Sequence, residues 1–209
     1  MARLLRDAGY GEVYCTPHLI KGVHEAGNEL VRSGAGELQA ALDREGIGLR
    51  LLTGREYCLD EFLLDYLHDP LPLGDTQHLL IEIPRHAPEE MVKQTLFRIR
   101  QKGFIPLIAH PERCKLLEPP ADKSNRNSFW NSVFNSKFKI QHSTLASNPL
   151  LSYLQEIGCQ FQGNLGSFAG YYGDRARVSA ERLREMGLYS CFGTDGHNVE
   201  GVKAILNHE

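Results

Sequence analysis

Short apolar runs alternate with amphipathic segments of helical length along the chain, and this alternation constrains the fold more than any other feature. The apolar runs fall at 12–15, 48–53, 78–83, 104–109, 159–162 and 189–192. Between them, apolar residues recur at helical spacing. Val31, Ala35, Leu38 and Leu42 mark a helix over 29–45. Val92, Leu96 and Ile99 mark another, ended by Gly103. Leu150, Leu151, Leu154 and Ile157 follow the start signal Asn148-Pro149, and Ala176, Ala180, Leu183 and Met186 precede Gly187. Residues 1–7 read as the last turns of a helix, 60–67 as a short helix, and a final helix begins near Val199. Short strands separated by helix-sized connections predict a parallel sheet covered by helices, an α/β fold.

The 209 residues suit one domain, 1–209, with a substantial core. A net charge of −3 without a long basic tract argues against nucleic acid as the main partner. The N-terminus is too polar and too short for a secretion signal, and no apolar run reaches the roughly 18 residues of a membrane span, so membrane insertion is not expected. Five scattered cysteines with no C-x-x-C pair point to a reducing, cytoplasmic setting. Only 123–147 breaks the pattern. It is rich in Ser, Asn and Lys, carries Phe129, Trp130, Phe134 and Phe138, and reads as an irregular insertion, a lid or contact surface.

Polar residues able to bind a metal stand just after the strands. His18 follows the first and Glu56 the second, and Glu82 ends the third. His110, Glu112 and Arg113 follow the fourth, and Asp195 and His197 the last. In a parallel β/α barrel these positions gather on one rim, where such folds place their sites. Singly they are weak signals: His18 after Thr-Pro fits a turn, Glu56 fits a helix cap, and Asp195-Gly-His197 is a common loop tripeptide. Glu82 is stronger, since an unpaired carboxylate inside an apolar run is costly. Together they form carboxylates and imidazoles without thiolates, which favours Mn, Fe, Mg or Zn held by hard donors over a structural zinc. Such ions hold phosphate and lower the pKa of bound water, and Arg113 suits bidentate pairing with phosphate oxygens. This outlines metal-assisted phosphoester hydrolysis.

Other chemistries lack their residues. A cysteine phosphatase needs arginine six positions after its cysteine, whereas Lys21, Leu64, Pro120, Leu165 and His197 stand there. The glycine-rich stretch 163–170 lacks the Gly-Lys-Ser/Thr of a P-loop. His24, His78, His86, His142 and His208 have no ligand spacing and read as surface or capping residues.

Cys15-Thr-Pro-His18, Gly54-Arg-Glu56, Leu79-Leu-Ile-Glu-Ile-Pro84, Ile108-Ala-His-Pro-Glu-Arg113, Ser167-Phe-Ala-Gly170 and Thr194-Asp-Gly-His197 occur in the order seen in the polymerase-and-histidinol-phosphatase (PHP) superfamily. The chain most resembles its manganese-dependent bacterial capsular-polysaccharide tyrosine phosphatases, over nearly its whole length except 123–147. The resemblance implies a distorted TIM-like (β/α) barrel of the PHP type with a metal cluster at its rim. It implies that Glu56 bridges metals, that Glu82 and His110 complete one ion, and that His18 and His197 bind another. Asp195 serves the ion Glu56 shares, Arg113 orients the phosphate, and Glu112 positions Arg113 or its loop. The implied substrate is phosphotyrosine on a tyrosine autokinase that controls exopolysaccharide export.

The family pattern opens with a strand carrying His-x-His, and no two of the nine histidines here are two positions apart. The expectation is therefore a barrel lacking its first strand and several ligands, with two exposed sheet edges and doubtful activity. Two alternatives stand beside the tyrosine phosphatase: a small-molecule phosphatase of the histidinol-phosphate type, and a metal-poor, non-catalytic interaction domain.

Overall fold

The computed structural model describes residues 1–119 and 148–206; the 123–147 segment, His142 and His208 lie outside them. Helix α1 (Ala2–Asp7) leads into strands β1 (Glu12–Cys15) and β2 (His18–Leu19), followed by α2 (Asn28–Arg44). Next come β3 (Arg50–Thr53), β4 (Glu56–Cys58), α3 (Leu63–Tyr66), β5 (His78–Glu82), α4 (Glu89–Gln101) and β6 (Ile105–Ala109). After 3-10 turns at Pro111–Arg113 and Lys115–Leu117, the chain continues through α5 (Pro149–Glu156), β7 (Gln160–Asn164), α6 (Leu165–Phe168), α7 (Asp174–Glu185), β8 (Cys191–Gly193) and α8 (Val199–Leu206).

Among the described residues every pairing between these strands is parallel, as the alternation predicts. Strands β2-β4-β5-β6-β7-β8 form one sheet and β1-β3 a second. Strand β1 continues as β2, and β3 as β4, across matched breaks at Thr16-Pro17 and Gly54-Arg55. Cys15 pairs with Thr53 and His18 with Glu56, so the register difference is 38 on both sides (53 − 15 and 56 − 18). Pro17 has no N–H for the ladder. A Cβ on Gly54 would meet Leu73 Cδ2 at 2.6 Å and Thr16 Cγ2 at 3.3 Å, so glycine admits the close approach of these chains. His18 and Glu56 therefore begin new strand segments, where the sequence suggests loops.

Strand alternation divides the sheet into two faces. Tyr57, Leu79, Ile81, Ile108 and Phe161 face the helices and pack with Val92, Leu96, Ile99, Leu150, Leu154 and Leu183 in the main core. Leu80, Leu107 and Ala109 form a smaller cluster on the other face, with Leu73 against it. His78 Nε2 lies 3.1 Å from Gln160 Oε1, so this half-buried histidine links β5 to β7.

The helices start and stop where local chemistry directs. Asn148 Oδ1 accepts from the backbone N–H of Leu150 and Leu151, with Pro149 in the first turn of α5. Glu89 and Glu90 open α4, and Arg98 and Arg100 close it, matching the helix dipole. Among the described residues, β2 and β8 are the outer strands of the larger sheet. The sheet nevertheless curls: Val202 of α8 packs with Leu5 of α1 and with Leu42 and Leu49. No helix among the described residues is long and apolar enough to cross a membrane.

Candidate metal centre

His18, Glu56 and Glu82 stand on the sheet face opposite the main core: Glu82 ends β5, while His18 and Glu56 open the short segments β2 and β4 beyond the breaks. One ligand atom from each lies within 4.8 Å of the others. Glu56 is buried, and its Oε2 lies 3.8 Å from His18 Nδ1. That nitrogen is itself buried without a hydrogen-bond partner.

His110 joins this group from β6. Simple alternation along Ile108, Ala109 and His110 would point its ring at the helices. Instead His110 has φ 35° and ψ 56°, a left-handed backbone that turns the imidazole toward Glu56 and Glu82. Its Nε2 lies 3.1 Å from Glu56 Oε1 and 4.0 Å from Glu82 Oε1. Burial disfavours the charged imidazole, but the hydrogen bond to Glu56 and the nearby acids outweigh it, and the pKa is raised. The same bend begins the 3-10 turn that delivers Arg113.

The second half of the site is built around Asp195, whose φ is 48°. His110 and Asp195 are the only non-glycine residues with positive φ among those described, and such backbone is concentrated at functional positions. Asp195 Oδ2 accepts from Arg113 Nη1 at 2.6 Å, Asn164 Nδ2 at 3.0 Å and the Tyr172 hydroxyl at 3.3 Å. Its Oδ1 lies 3.4 Å from His197 Nδ1. His197 Nε2 in turn lies 3.5 Å from His18 Nε2, with the rings 5.6 Å apart. Glu112 is fully buried; it accepts from the Asn164 backbone N–H and the Tyr189 hydroxyl, both at 3.0 Å, and fixes the loop that carries Arg113.

The fold thus brings His18, Glu56, Glu82 and His110 together, and sets Arg113, Asp195 and His197 beside them. Three neighbours were not apparent in the sequence. Asn164 ends β7 as Glu82 ends β5, and that placement was the available signal. His24 stacks on His18 with centroids 6.1 Å apart, because an antiparallel bridge between Ile20 and His24 folds it back. Tyr172 depends on the path of a loop, and no spacing announces it. Beneath the site, buried Arg55 donates to the carbonyls of His18 and Ala26 and to Asn28 Oδ1, tying down the segment after β2.

The donor set fits a divalent ion. Buried carboxylate and imidazole groups converge around an unpartnered His18 nitrogen, and the nearby Cys58 thiol is pushed up to about 11 by burial, Asp60, Glu82 and Glu56. Among the described residues the grouped ligand atoms belong to one imidazole and two carboxylates, with no thiol among them, so the donors are oxygen and nitrogen. The adjacent guanidinium suits a tetrahedral oxyanion.

The parallel β/α sheet, with this candidate centre on one face, matches the PHP-type fold of a solved structure. A family model described as capsular polysaccharide synthesis, CpsB/CapC, matches residues 1–126, and the chain belongs to that family. It is 32% identical over 203 residues to the tyrosine-protein phosphatase YwqE of Bacillus subtilis (strain 168), covering 96% of this chain and 69% of that protein. It is 27% identical over 197 residues to CapC of Staphylococcus aureus, covering 93% and 67%. Its fold matches, with a TM-score of 0.77 and 29% identity over 100% of this chain and 76% of the other, a solved structure from work on B. subtilis YwqE and Streptococcus pneumoniae CpsB, described as metal-dependent tyrosine phosphatases.

Proposed function

We propose that this chain is a metal-dependent phosphatase that hydrolyses phosphotyrosine in a protein substrate. The observation that carries the reading is the His18–Glu56–Glu82 triple, with ligand atoms within 4.8 Å and the buried His18 Nδ1 lacking a hydrogen-bond partner. Membership of the CpsB/CapC family and similarity to a protein named as a tyrosine phosphatase support the substrate class. Glu56, lying between His18 and His110, would be shared between two ions; Glu82 and His110 would hold one, His18 and His197 the other, and Asp195 would contribute through its Oδ1 to the ion Glu56 shares. Manganese is the proposed ion, ahead of Fe, Zn and Mg.

When bound, the ions neutralise phosphate charge and lower the pKa of water at the site. The chain's own residues orient the ester. Asp195 and Tyr172 hold Arg113, whose Nη1 is taken by Asp195. Its Nε and Nη2 donors have no protein partner among the described residues and face the task of pairing with phosphate oxygens. The proposed protein partner is a bacterial tyrosine autokinase acting in exopolysaccharide regulation.

The test is hydrolysis of a phosphotyrosine peptide, a phosphoserine peptide and histidinol phosphate, each with manganese or with a chelator, alongside elemental analysis. Manganese-dependent release from the phosphotyrosine peptide above both other substrates is expected. Equal rates on histidinol phosphate would overturn the substrate. Absence of bound metal, with no rate after metal addition, would overturn the activity.

A further inference from the structure

The turn after α6 carries Tyr172 beneath Arg113. The Arg113 Cζ atom stands 4.3 Å from the centre of the Tyr172 ring, so the guanidinium lies over the aromatic face. The Tyr172 hydroxyl donates to Asp195 Oδ2 at 3.3 Å, the same oxygen that accepts from Arg113 Nη1 at 2.6 Å. One side chain therefore touches the guanidinium through its face and also touches its anchor.

The ring is itself firmly seated. A Cβ on Gly166 would lie 3.0 Å from Tyr172 Cε2, so a side chain there would crowd the ring. Tyr171 packs edge-on against Tyr172, with centroids 5.1 Å apart and planes at 83°.

We propose that Tyr172 is a positioning residue for phosphate capture: its ring and hydroxyl hold Arg113 in the orientation in which the guanidinium meets the phosphate ester. The proposal rests on the reading that Arg113 binds the phosphate. An arginine already ordered by a ring below and a carboxylate at one edge has less side-chain freedom to lose when the oxyanion arrives. It also presents its remaining donors in a fixed plane, which is what bidentate recognition requires. The hydroxyl is the lesser contributor, since Asp195 Oδ2 keeps two other donors without it.

The experiment measures KM and kcat for an aryl phosphate, and competitive inhibition by inorganic phosphate, at saturating manganese with metal content determined for each protein. Tyr172→Phe and Tyr172→Leu are compared in the parent chain and in an Arg113→Ala background. Tyr172→Met, which keeps bulk without a π face, replaces the leucine variant if that variant does not fold. In the parent background, Tyr172→Leu is expected to weaken phosphate inhibition by about tenfold, the scale of a partly desolvated cation–π contact. Tyr172→Phe keeps the ring and is expected to stay within about threefold. In the Arg113→Ala background the leucine variant changes little, and metal content is the same throughout.

An equal effect of Tyr172→Leu in both backgrounds would overturn the proposal, as would lost metal with phosphate affinity intact. If Arg113→Ala weakens phosphate binding and Tyr172→Leu does not, the positioning role alone fails. If Arg113→Ala leaves phosphate affinity undiminished, the phosphate-site reading fails and the positioning role falls with it.

Discussion

His110 Nε2 lies 3.1 Å from Glu56 Oε1, although β5 runs between the strands that carry them. The contact passes over the end of β5, where Glu82 Oε1 stands 4.0 Å from the same nitrogen. Three successive strand paths thus deliver one group each to a space a few ångströms wide. Two carboxylates so placed repel one another and are costly to desolvate, and a cation between them removes both penalties.

Replacing Glu56 with Gln keeps the shape and removes the charge at the centre of this contact. Metal content is expected to fall, and hydrolysis to fall by at least the roughly 10–100-fold that loss of an outer-shell partner costs. The rise in melting temperature on adding manganese should largely vanish. Elemental analysis and thermal melts with and without chelator check this; metal binding by Glu56→Gln at the parental level would refute the bridging role.

Gly54→Ala addresses the matched strand breaks. The new methyl would collide with the Leu73 side chain and press on the Leu73 backbone at 3.4 Å. A loss of about 1–3 kcal/mol in unfolding free energy is expected, as for other overpacked sites. Metal affinity should fall as well, because His18 and Glu56 both lie beyond the break. Urea unfolding and metal titration separate the two effects, and a variant unchanged in both would mean that the break yields easily.

Glu112→Ala strips acceptors from the Asn164 N–H and the Tyr189 hydroxyl in a fully buried place. The expected loss is about 1–3 kcal/mol for each group left unpaired. Glu112→Gln retains one acceptor oxygen and gains an N–H that the tyrosine oxygen accepts, so it should cost less. Urea unfolding of the two variants orders them; an alanine variant as stable as the glutamine would refute the assignment.

Cys159 carries an alkaline signature. Burial pushes its thiol from 9.0 up to about 12. As pH rises, the unfolded chain ionises this thiol first, so between those values it binds fewer protons than the folded chain and stability falls. The slope for one such group approaches about 1.4 kcal/mol per pH unit. Cys159→Ala removes the group, so its stability deficit relative to the parent chain should narrow as pH rises through this window. A gap that is constant with pH in urea unfolding would contradict the shift.

Much of this architecture was legible because burial imposes period. Leu79 and Ile81, with Val92, Leu96 and Ile99, show which faces pack, and strand ends follow from where those runs stop. Glu82 was legible for the same reason, as a carboxylate in an apolar run. His110 was named from its place after a strand, but its inward direction depends on a left-handed backbone that no residue type at that position announces. His18 and Glu56 read as loop residues because Pro17 and Gly54 look like terminators, whereas the two breaks compensate each other and pairing resumes. Tyr172 and His24 reach the site by loop paths set by tertiary contacts, which leave no periodic trace.

The curled sheet has a further consequence where its two outer strands approach. His18, which opens β2, and His197, in the loop after β8, meet with imidazole nitrogens 3.5 Å apart, and no backbone ladder joins the two strands. This is a seam, fastened by two rings at its upper end and by the Leu5, Leu42, Leu49 and Val202 cluster. An ion gripped by both rings would work as a clasp, coupling ligand affinity to the contact between these two segments. Opening of the seam and release of the ion would then be one event, and slow amide exchange at β8 would report how tightly the clasp is shut.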